Sequence, residues 1–399
     1  MKRNHFYPIV ILIGLVLFSS CKKDDPADGP KDPQPSSSSA QKFLLLNYNS
    51  SNALGPGAYI SLLEIKNGAP VITKLNDFYP LANLNSNVDI TKNRAVMGLH
   101  SDFNTNGTSR RTVGVWFDVP STSTSELPLL PAGTGRYAYF GSATGKVSEN
   151  GNIFYLSCSN DASYHDQYRA ALVRYNPSSS VLEQAQHPDA FILAQPERGW
   201  DTETGQYKGD FYPSPDGRYV YGVIEAFGVD GGSLHWDYEI LFKYDFQTQT
   251  YTRLGDAEDS HVLILGITSD RTQVFYNSQI GSVSKKKIVN TATNTTKPVT
   301  ITGGQGYKNT SRWNANGYCS GESNRTIGVY DVINDSKHNI TTQADPNYAQ
   351  FSSGGDAIYF MLKSSQNNYL CKTSNTSASA KIDTVCTLSK SIYEFMVVK

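Results

Sequence analysis

A tight turn between two strand-like runs, repeated along the chain, is the feature that most limits the possible folds. At Phe211–Val223 the sequence reads FYPSPDGRYVYGV. Pro215 fixes φ at the first central turn position, Asp216 can accept a hydrogen bond from the backbone ahead, and Gly217 tolerates a positive φ. The flanking runs are rich in aromatic and β-branched residues, which favour strands. The segment therefore predicts a β-hairpin.

Variants of this hairpin recur along the chain. ITSDRTQVFYN begins at Ile267 and FSSGGDAIYFM begins at Phe351, and both place Ser or Thr before a turn and a β-branched and aromatic pair after it. The equivalent positions in all copies are Thr91, Ser148, Ser214, Thr268, Asn314 and Ser352. Two more strand-like runs follow each copy, and units of four strands with uneven spacing are typical of propeller blades. The alternative is a set of independent hairpins in an all-β sandwich.

The two ends of the chain together supply one more blade. Three strand-like runs without a preceding turn motif lie between Phe43 and Leu75, and a single strand-like run, SIYEFMVV, covers Ser391–Val398. We predict that this last strand is the innermost strand of the first blade and closes the ring, which removes an open sheet edge. The predicted fold is all-β, a seven-bladed β-propeller of four-stranded blades over residues 42–399.

The repeated pattern resembles the TolB-like and WD40-like β-propeller repeats. In those repeats the Ser-Pro-Asp-Gly turn, here Ser214–Gly217, lies between the first and second strands of a blade. The resemblance covers most of the chain after Lys42. It implies a fold and brings no catalytic residues with it.

The N-terminus carries the pattern of an export signal. Two basic residues precede the apolar run Ile9–Phe18, which has signal-peptide length and is too short to span a bilayer. LFSSC resembles a lipobox, which implies a signal peptide over residues 1–20 and diacylation of Cys21. The following KKDD resembles the surface-export signal of Bacteroidota lipoproteins, which implies a lipid anchor in the outer membrane facing the cell exterior. The alternative is an unlipidated secreted protein cleaved near Ser20.

Residues 21–41 are rich in Pro, Ser and Asp and contain no large apolar side chain, which predicts a disordered tether. The chain has a net charge of −1, and removal of the predicted signal peptide with Lys2 and Arg3 makes it about −3, so we expect no nucleic-acid partner. No glycine-rich phosphate loop, CxxC or HExxH occurs, and we expect no cofactor and no bound metal. We also expect a monomeric propeller.

Four cysteines remain after the predicted lipidation site. Cys371 and Cys386 lie on consecutive predicted strands of the last blade, and a cross-strand disulfide between them is reasonable in an oxidising compartment. Cys158 and Cys319 fall in different blades and are expected to be buried free thiols.

The longest predicted connections all belong to blades two to four. They cover His100–Arg111, Ser159–Gln167, Gln186–Asp210 and Phe227–Asp237. In a propeller the second-to-third strand connections and the connections to the next blade emerge on one face, so these segments should project together. Long loops on a rigid scaffold commonly bind ligands.

These loops, with the segment GDAEDSH, contain the candidate ligand-binding residues. They are Tyr164, His165, Asp166, Arg198, Trp200, Asp201, His235, Trp236, Asp237, Glu258, Asp259 and His261. An exposed Trp offers an apolar surface to a sugar ring or another flat ligand, and the polar neighbours can bond its hydroxyls. The alternative is that the tryptophans pack beneath their own loops and that the acids are solvated.

Three classes of function are compatible with these residues. The first is a surface binding module for a small ligand, glycan or protein partner, acting in nutrient or siderophore uptake beside an outer-membrane transporter. In support, GNIFYLS at Gly151–Ser157 resembles a family of Bacteroidota propeller lipoproteins that capture siderophores. The second is a propeller glycosidase or polysaccharide lyase, for which catalytic residues have no evident motif. The third is a structural adhesion or assembly module.

Overall fold

The structure is a computed structural model, and part of the chain is described. The described residues are 41–49, 57–75, 88–91, 94–101, 111–121, 123–128, 137–138, 145–158, 170–194, 203–230, 233–280, 283–301, 313–322, 324–375 and 381–398. The predicted signal peptide, Cys21 and the tether up to residue 40 lie outside them. No helix among the described residues is both long and apolar enough to cross a membrane.

The first half of the propeller is built from short strands. In chain order they are β1 (Lys42–Asn49), β2 (Gly57–Lys66), β3 (Ala69–Lys74), β4 (Val88–Ile90), β5 (Arg94–Ser101), β6 (Arg111–Asp118), β7 (Thr124–Glu126), β8 (Tyr137–Ala138), β9 (Lys146–Val147), β10 (Ile153–Cys158), β11 (Ala170–Asn176) and β12 (Val181–Gln184). A short helix follows, α1 (Asp189–Leu193).

The second half contains the longest strands. They are β13 (Glu203–Pro213), β14 (Tyr219–Asp230), β15 (Ser233–Asp245), β16 (Thr250–Arg253), β17 (Leu263–Ile267), β18 (Gln273–Ile280), β19 (Val283–Asn290), β20 (Thr296–Pro298), β21 (Gly317–Glu322), β22 (Thr326–Asp331), β23 (Ser336–Thr341), β24 (Pro346–Phe351), β25 (Ala357–Lys363), β26 (Asn367–Ser374), β27 (Asp383–Ser389) and β28 (Ile392–Val397).

These strands form seven antiparallel sheets in a ring, which confirms the predicted seven-bladed β-propeller. Blade 1 has the order β28-β1-β2-β3, and blades 2, 4, 5 and 7 each contain four consecutive strands. In blade 3 both β8 and β9 pair with β10, so the innermost strand is in two pieces. In blade 6 the described strands are β21-β22-β23, and a bridge from Trp313 to Tyr318 marks the position of the first strand.

The predicted closure of the ring is confirmed. The register between β1 and β28 pairs Phe43 with Val397 and Leu45 with Phe395, so the C-terminal strand completes the first blade. Gln41 extends this contact, because its Nε2 donates to the carbonyl of Val398 at 2.6 Å. Gln41 thus contacts the last strand just before β1 begins at Lys42.

The repeated turn lies between the first and second strands of a blade, as the sequence predicts. In blade 4 the amide of Gly217 donates to the carbonyl of Ser214 at 2.9 Å, and the Ser214 hydroxyl donates to Asp216. In blade 5 the Thr268 hydroxyl donates to Asp270 at 2.7 Å in the same way. A side chain two residues ahead thus closes each turn, which is a local interaction that sequence specifies directly.

The core lies between neighbouring blades. In β15, adjacent side chains point to the blades on either side: Phe242 packs in a cluster with Phe154 of blade 3, whereas Leu241 packs in a cluster with Val274 of blade 5. Both sheet faces of blade 4 are therefore buried, and the polar groups available for function lie at the ends of the strands and along the axis.

The expected cross-strand disulfide is absent from the structure. Cys371 and Cys386 are free and buried. A register shift at Cys371 places it opposite Thr384, while Cys386 lies opposite Leu370. The two side chains also belong to clusters on opposite faces of the sheet. Cys319 is free and buried as expected, and the side chain of Cys158 lies outside the described residues.

Two of the predicted loops are partly regular structure, which corrects the sequence interpretation. Most of Phe227–Asp237 belongs to β14 and β15, where Phe227 pairs with Trp236 and Gly228 pairs with His235. The segment Gln186–Asp210 contains α1 and the first residues of β13. The other two predicted loops lie largely outside the described residues.

Candidate functional site

Blade 4 is taller than the other described blades. Its first three strands have 11, 12 and 13 residues, and their pairing continues through Thr204, Phe227 and Trp236. This end of the blade lies on the face of the second-to-third strand connections. We call it the blade 4 extension, defined as residues 203–205, 227–230 and 233–237.

A helix fastens the base of this extension. The amide of Gly205 donates to Oδ1 of Asp189 in α1 at 2.9 Å. A Cβ at Gly205 would lie 2.9 Å from the Ile192 side chain, so the absence of a side chain permits this close approach. Phe191 stacks on Tyr251 with ring centroids 5.2 Å apart. The extension is thus held by a packed scaffold at its base.

Beneath the extension, four polar side chains meet on the face of blade 4 that packs against blade 5. Gln206, Glu225 and Glu239 lie opposite one another across β13, β14 and β15. Gln206 Nε2 donates to Glu225 at 2.9 Å, and Lys208 Nζ lies 3.2 Å from Glu225 and also contacts Glu239. We call these four residues the blade 4 polar cluster.

The polar cluster holds charge in a shielded position. Glu239 is only 6% exposed, whereas the Lys208 side chain reaches the surface and is 42% exposed. Burial alone would lower the pKa of Lys208, but the hydrogen bonds to Glu239 and Glu225 raise its pKa overall. The cluster therefore carries two carboxylates and one ammonium group, and can hydrogen-bond a polar ligand. Acid–base chemistry here would first require displacement of Lys208 from a carboxylate.

The segment before β17 borders this cluster. The amide of Glu239 donates to the carbonyl of Ser260 at 2.6 Å. Ser260 Oγ donates to the carbonyl of Gln279 at 2.8 Å, and the amide of Gln279 donates to the carbonyl of His261. The predicted residue His261 is half-buried and directly follows Ser260, whose carbonyl accepts from the backbone amide of Glu239.

Asp259 stabilises the fold and is not available to a ligand. It is 3% exposed, its Oδ1 lies 2.6 Å from Lys287 Nζ, and its Oδ2 accepts from the Tyr276 hydroxyl at 2.8 Å. Lys287 also contacts Asp256 at 2.6 Å. Asp259 thus anchors its loop to blade 5 and is not solvated, while the adjacent Glu258 is exposed.

The remaining sequence predictions divide into two groups. His235, Trp236 and Asp237 lie on β15 within the blade 4 extension, and their side chains are outside the described part of the structure. Outside the described residues altogether are Tyr164, His165, Asp166, Arg198, Trp200, Asp201 and Cys21. Among the described residues, no group of three or more His, Cys, Asp or Glu side chains is arranged to hold a metal ion.

Sequence reasoning missed Lys208, Glu225 and Glu239. Glu225 interrupts the apolar run VIEAF, and Glu239 interrupts DYEILF. A glutamate at an inward position of an otherwise apolar strand requires a partner, and this was the available signal. The partner itself is not visible in the sequence because strand register, rather than proximity along the chain, brings the three residues together.

Several solved protein structures are similar in fold to this chain, at low sequence identity. The putative 6-phosphogluconolactonase of Bacteroides fragilis is 11% identical, with a TM-score of 0.43 over 91% of this chain and 100% of that one. The periplasmic gluconolactonase PpgL of Pseudomonas aeruginosa is 13% identical, with a TM-score of 0.40 over 90% and 99%. TolB of Acinetobacter baumannii is 13% identical, with a TM-score of 0.37 over 89% and 81%.

No protein-family model and no curated protein sequence matches the chain. The structural likenesses are too distant to bear on activity or ligand. The assignment as a seven-bladed propeller rests on the strand order of the chain itself.

Proposed function

We propose that the chain is an outer-membrane surface lipoprotein that acts as a binding module. The blade 4 extension and the polar cluster below it present one propeller face to a small ligand, glycan or protein partner. In this proposal the protein serves nutrient or siderophore uptake beside an outer-membrane transporter, and Cys21 holds it on the membrane.

The observation that carries the proposal is the raised, three-stranded end of blade 4. A sheet that continues beyond its neighbours offers backbone and side chains outside the ring, and α1 fixes its base. Binding residues commonly lie on such projections from a rigid scaffold. The extension also carries Trp236 and His235, whose residue types suit ligand contact.

The proposed binding face is tested by site-specific photocrosslinking in the bacterium that produces the protein. A photoreactive residue at Leu234 lies on the extension, and one at Thr248 lies in the exposed turn between β15 and β16, on the opposite face. We expect a defined adduct from position 234 and none from position 248. Equal adducts from both positions, or adducts from position 248 alone, would contradict the assigned face.

The proposed anchor is tested separately. Replacement of Cys21 by Ser should abolish incorporation of labelled palmitate and release the protein from the membrane fraction. Protease added to intact cells should digest the wild-type protein. Full protection of a membrane-bound protein would place it on the periplasmic leaflet instead.

A second candidate function, a glycosidase or polysaccharide lyase, is favoured by the neighbouring carboxylates Glu225 and Glu239. The wild-type protein would then cleave at least one member of a polysaccharide panel, and Glu239→Gln would lose that activity while it kept its melting temperature. If the wild-type protein cleaves none of them, this alternative is wrong and the binding module stands.

A further inference from the structure

A cavity of about 580 Å³ lies at the opposite end of the propeller axis, where the turns between first and second strands converge. Its size is in the range of small-molecule sites. The described residues that line it come from the turns of blades 2 to 7 and from β28, and they include Glu149, Pro215, Ser269, Asp270, Trp313 and Asn314. The cavity is thus on the other face from the blade 4 extension, and its function is independent of the one proposed above.

Hydrogen bonds between blades fix the rim of this cavity. The amide of Ser269 in the blade 5 turn donates to the carbonyl of Asn314 in blade 6 at 3.1 Å. The amide of Asn150 in blade 3 donates to the carbonyl of Pro215 in blade 4 at 3.2 Å. Arg271 Nε donates to the carbonyl of Pro213 at 2.9 Å. The rim is therefore preorganised, which lowers the entropic cost of binding a ligand.

Several polar groups on the rim make no hydrogen bond within the described structure. The Ser269 hydroxyl and the side-chain amide nitrogen of Asn314 are unpaired, although Asn314 Oδ1 accepts from the amides of Asn316 and Gly317. The Glu149 carboxylate accepts no hydrogen bond among the described residues, but it is attracted electrostatically to the Arg271 guanidinium. Asp270 uses Oδ1 to close its turn and leaves Oδ2 unpaired. Acceptors and donors available to a ligand are therefore interleaved around one opening.

Trp313 contributes an aromatic ring to the wall of the cavity. It lines the cavity, is 3% exposed, and packs so closely on Gly266 that a Cβ there would lie 1.6 Å from the indole. Its Nε1–H is buried and has no acceptor among the described residues. A buried donor without an acceptor is costly, and such groups are rare in native proteins. The cavity therefore has an indole packed firmly in its wall, and the signal of this indole can report what occupies the cavity.

The chemistry of the lining limits the class of ligand. None of the described lining residues is basic, and Glu149 and Asp270 are acidic. The one basic group named at the rim, Arg271, is buried, donates to backbone carbonyls and is attracted to Glu149. The lining therefore disfavours phosphates and sugar acids. Phe351 and Pro215 add apolar surface beside the indole. Apolar surface combined with interleaved donors and acceptors matches a ring that carries hydroxyl groups. We propose that this cavity binds a neutral sugar ring, either free or as the terminal residue of a glycan.

The test follows the indole Nε1–H signals of the protein by NMR. The chain has 4 tryptophans, and separate Phe variants of Trp116, Trp200 and Trp236 identify the signal of Trp313 by elimination. D-Glucose, D-galactose and N-acetyl-D-glucosamine are titrated in turn. We expect at least one of them to shift the Trp313 signal saturably, and glucose 6-phosphate to bind at least about tenfold more weakly than glucose because of the acidic rim.

Three variants test the named contacts. Glu149→Gln and Ser269→Ala should each weaken sugar binding about fivefold or more, the typical effect of losing one hydrogen bond to a ligand. Glu126→Gln is the matched control, because Glu126 is an exposed acid on β7 that does not line the cavity, and it should leave binding unchanged. Ser269→Ala removes no contact of the folded chain, so its melting temperature should equal that of the wild type. Glu149→Gln removes the attraction between Glu149 and the buried Arg271 guanidinium, so its melting temperature should fall slightly, and its affinity is measured well below that temperature.

The possible outcomes separate the two proposed sites. No shift of the Trp313 signal with any of the three sugars overturns the inference. A shift confined to Trp200 or Trp236 also overturns it, because the sugar would then bind outside the cavity. Unchanged affinity in both rim variants, or equal affinity for glucose and glucose 6-phosphate, would show that the cavity does not recognise sugars as argued.

Discussion

At the scale of single residues, burial decides which acidic side chain supports the fold and which is available to a ligand. Glu258 and Asp259 are neighbours in the sequence, yet Glu258 is exposed and Asp259 is buried against Lys287. The two residues could not be distinguished from the sequence, because neither residue type nor spacing shows which carboxylate faces β19. The identity of the partner, Lys287, depends on the packing of the loop onto blade 5.

Asp259→Ala should therefore destabilise the protein. It leaves the Lys287 ammonium with Asp256 as its remaining partner, and it removes the acceptor of the Tyr276 hydroxyl. Breaking a buried ion pair from one side costs about 3 kcal/mol or more. Glu258→Ala, the adjacent exposed position, should cost less than about 0.5 kcal/mol. Urea unfolding of both variants checks this, and equal midpoints would show that Asp259 does not anchor the loop.

Asp245 provides a prediction of pH dependence. Arg218 donates to it through Nε at 3.1 Å and through Nη2 at 2.7 Å, and these hydrogen bonds lower the pKa of Asp245 to about 2 from the usual 3.8. Because the folded-state pKa lies below the unfolded value, this contact stabilises the fold above about pH 4, and the stabilisation is lost as the pH falls towards 2.

The comparison of wild type with Asp245→Asn measures this effect. The difference in free energy of unfolding between the two proteins should be fully present at neutral pH and should shrink between about pH 4 and pH 2. Urea titrations at several pH values give this difference. A difference that stays constant down to pH 2 would contradict the role of the Arg218 contact.

At the scale of elements, turns were predictable and long hairpins were not. In the turns, a Ser or Thr side chain bonds to a residue two positions ahead, so the specifying interaction lies within a few residues. The segment FGVDGGSLHWD, which supplies two strands of the blade 4 extension, is interpreted from sequence as a loop, although apolar and polar residues alternate on both sides of its glycine pair. Its strand structure depends on pairing with β13, whose residues are some twenty positions away in the chain.

Glycine substitutions test the turn at this scale. Gly217 has φ of +68°, and an added Cβ would lie 2.8 Å from the Asn152 side chain and 2.9 Å from that of Asn150. Gly217→Ala should cost about 2 kcal/mol or more, because it combines backbone strain with contacts to the neighbouring blade.

Two other glycines separate these contributions. Gly68 has φ of +77° with nothing within 4 Å of an added Cβ, so Gly68→Ala should cost only about 1 kcal/mol from the backbone. Gly354 has neither a positive φ nor a close contact, and Gly354→Ala should be neutral within about 0.5 kcal/mol. Thermal unfolding that ranks the three variants in any other order would contradict this account of the turn.

At the scale of the whole molecule, the number of blades and the closure of the ring were predictable because strands can be counted along the chain. Three unmatched strands at the N-terminus and one at the C-terminus complete a single blade. The two candidate sites could not be predicted from the sequence in the same way. The polar cluster requires the register of three strands, and the cavity requires turns from blades 2 to 7 to converge on the axis. Such convergence depends on the ring and has no local signature.

The last prediction concerns the closure of the ring by β28. In β28, Phe395 is 0% exposed and packs with Phe43 at a centroid distance of 6.2 Å, whereas Tyr393 on the same strand is 51% exposed. Phe395→Ala should cost about 3–5 kcal/mol, and Tyr393→Ala should cost less than about 1 kcal/mol because it preserves the strand pairing.

Deletion of Ser391–Lys399 extends this test to the whole strand. It removes β28, exposes the edge of β1 and opens the interface with blade 7, where Gln350 Nε2 donates to the carbonyl of Phe395 at 2.8 Å. An unpaired apolar edge favours association between chains, so we expect the truncated protein to aggregate or oligomerise in size-exclusion chromatography. A soluble monomer with the melting temperature of the wild type would mean that β28 does not hold the ring closed.

Comparison with the two point variants shows whether a loss of stability arises from the core contact of Phe395 or from strand pairing. Only the deletion removes the hydrogen bonds between β28 and β1.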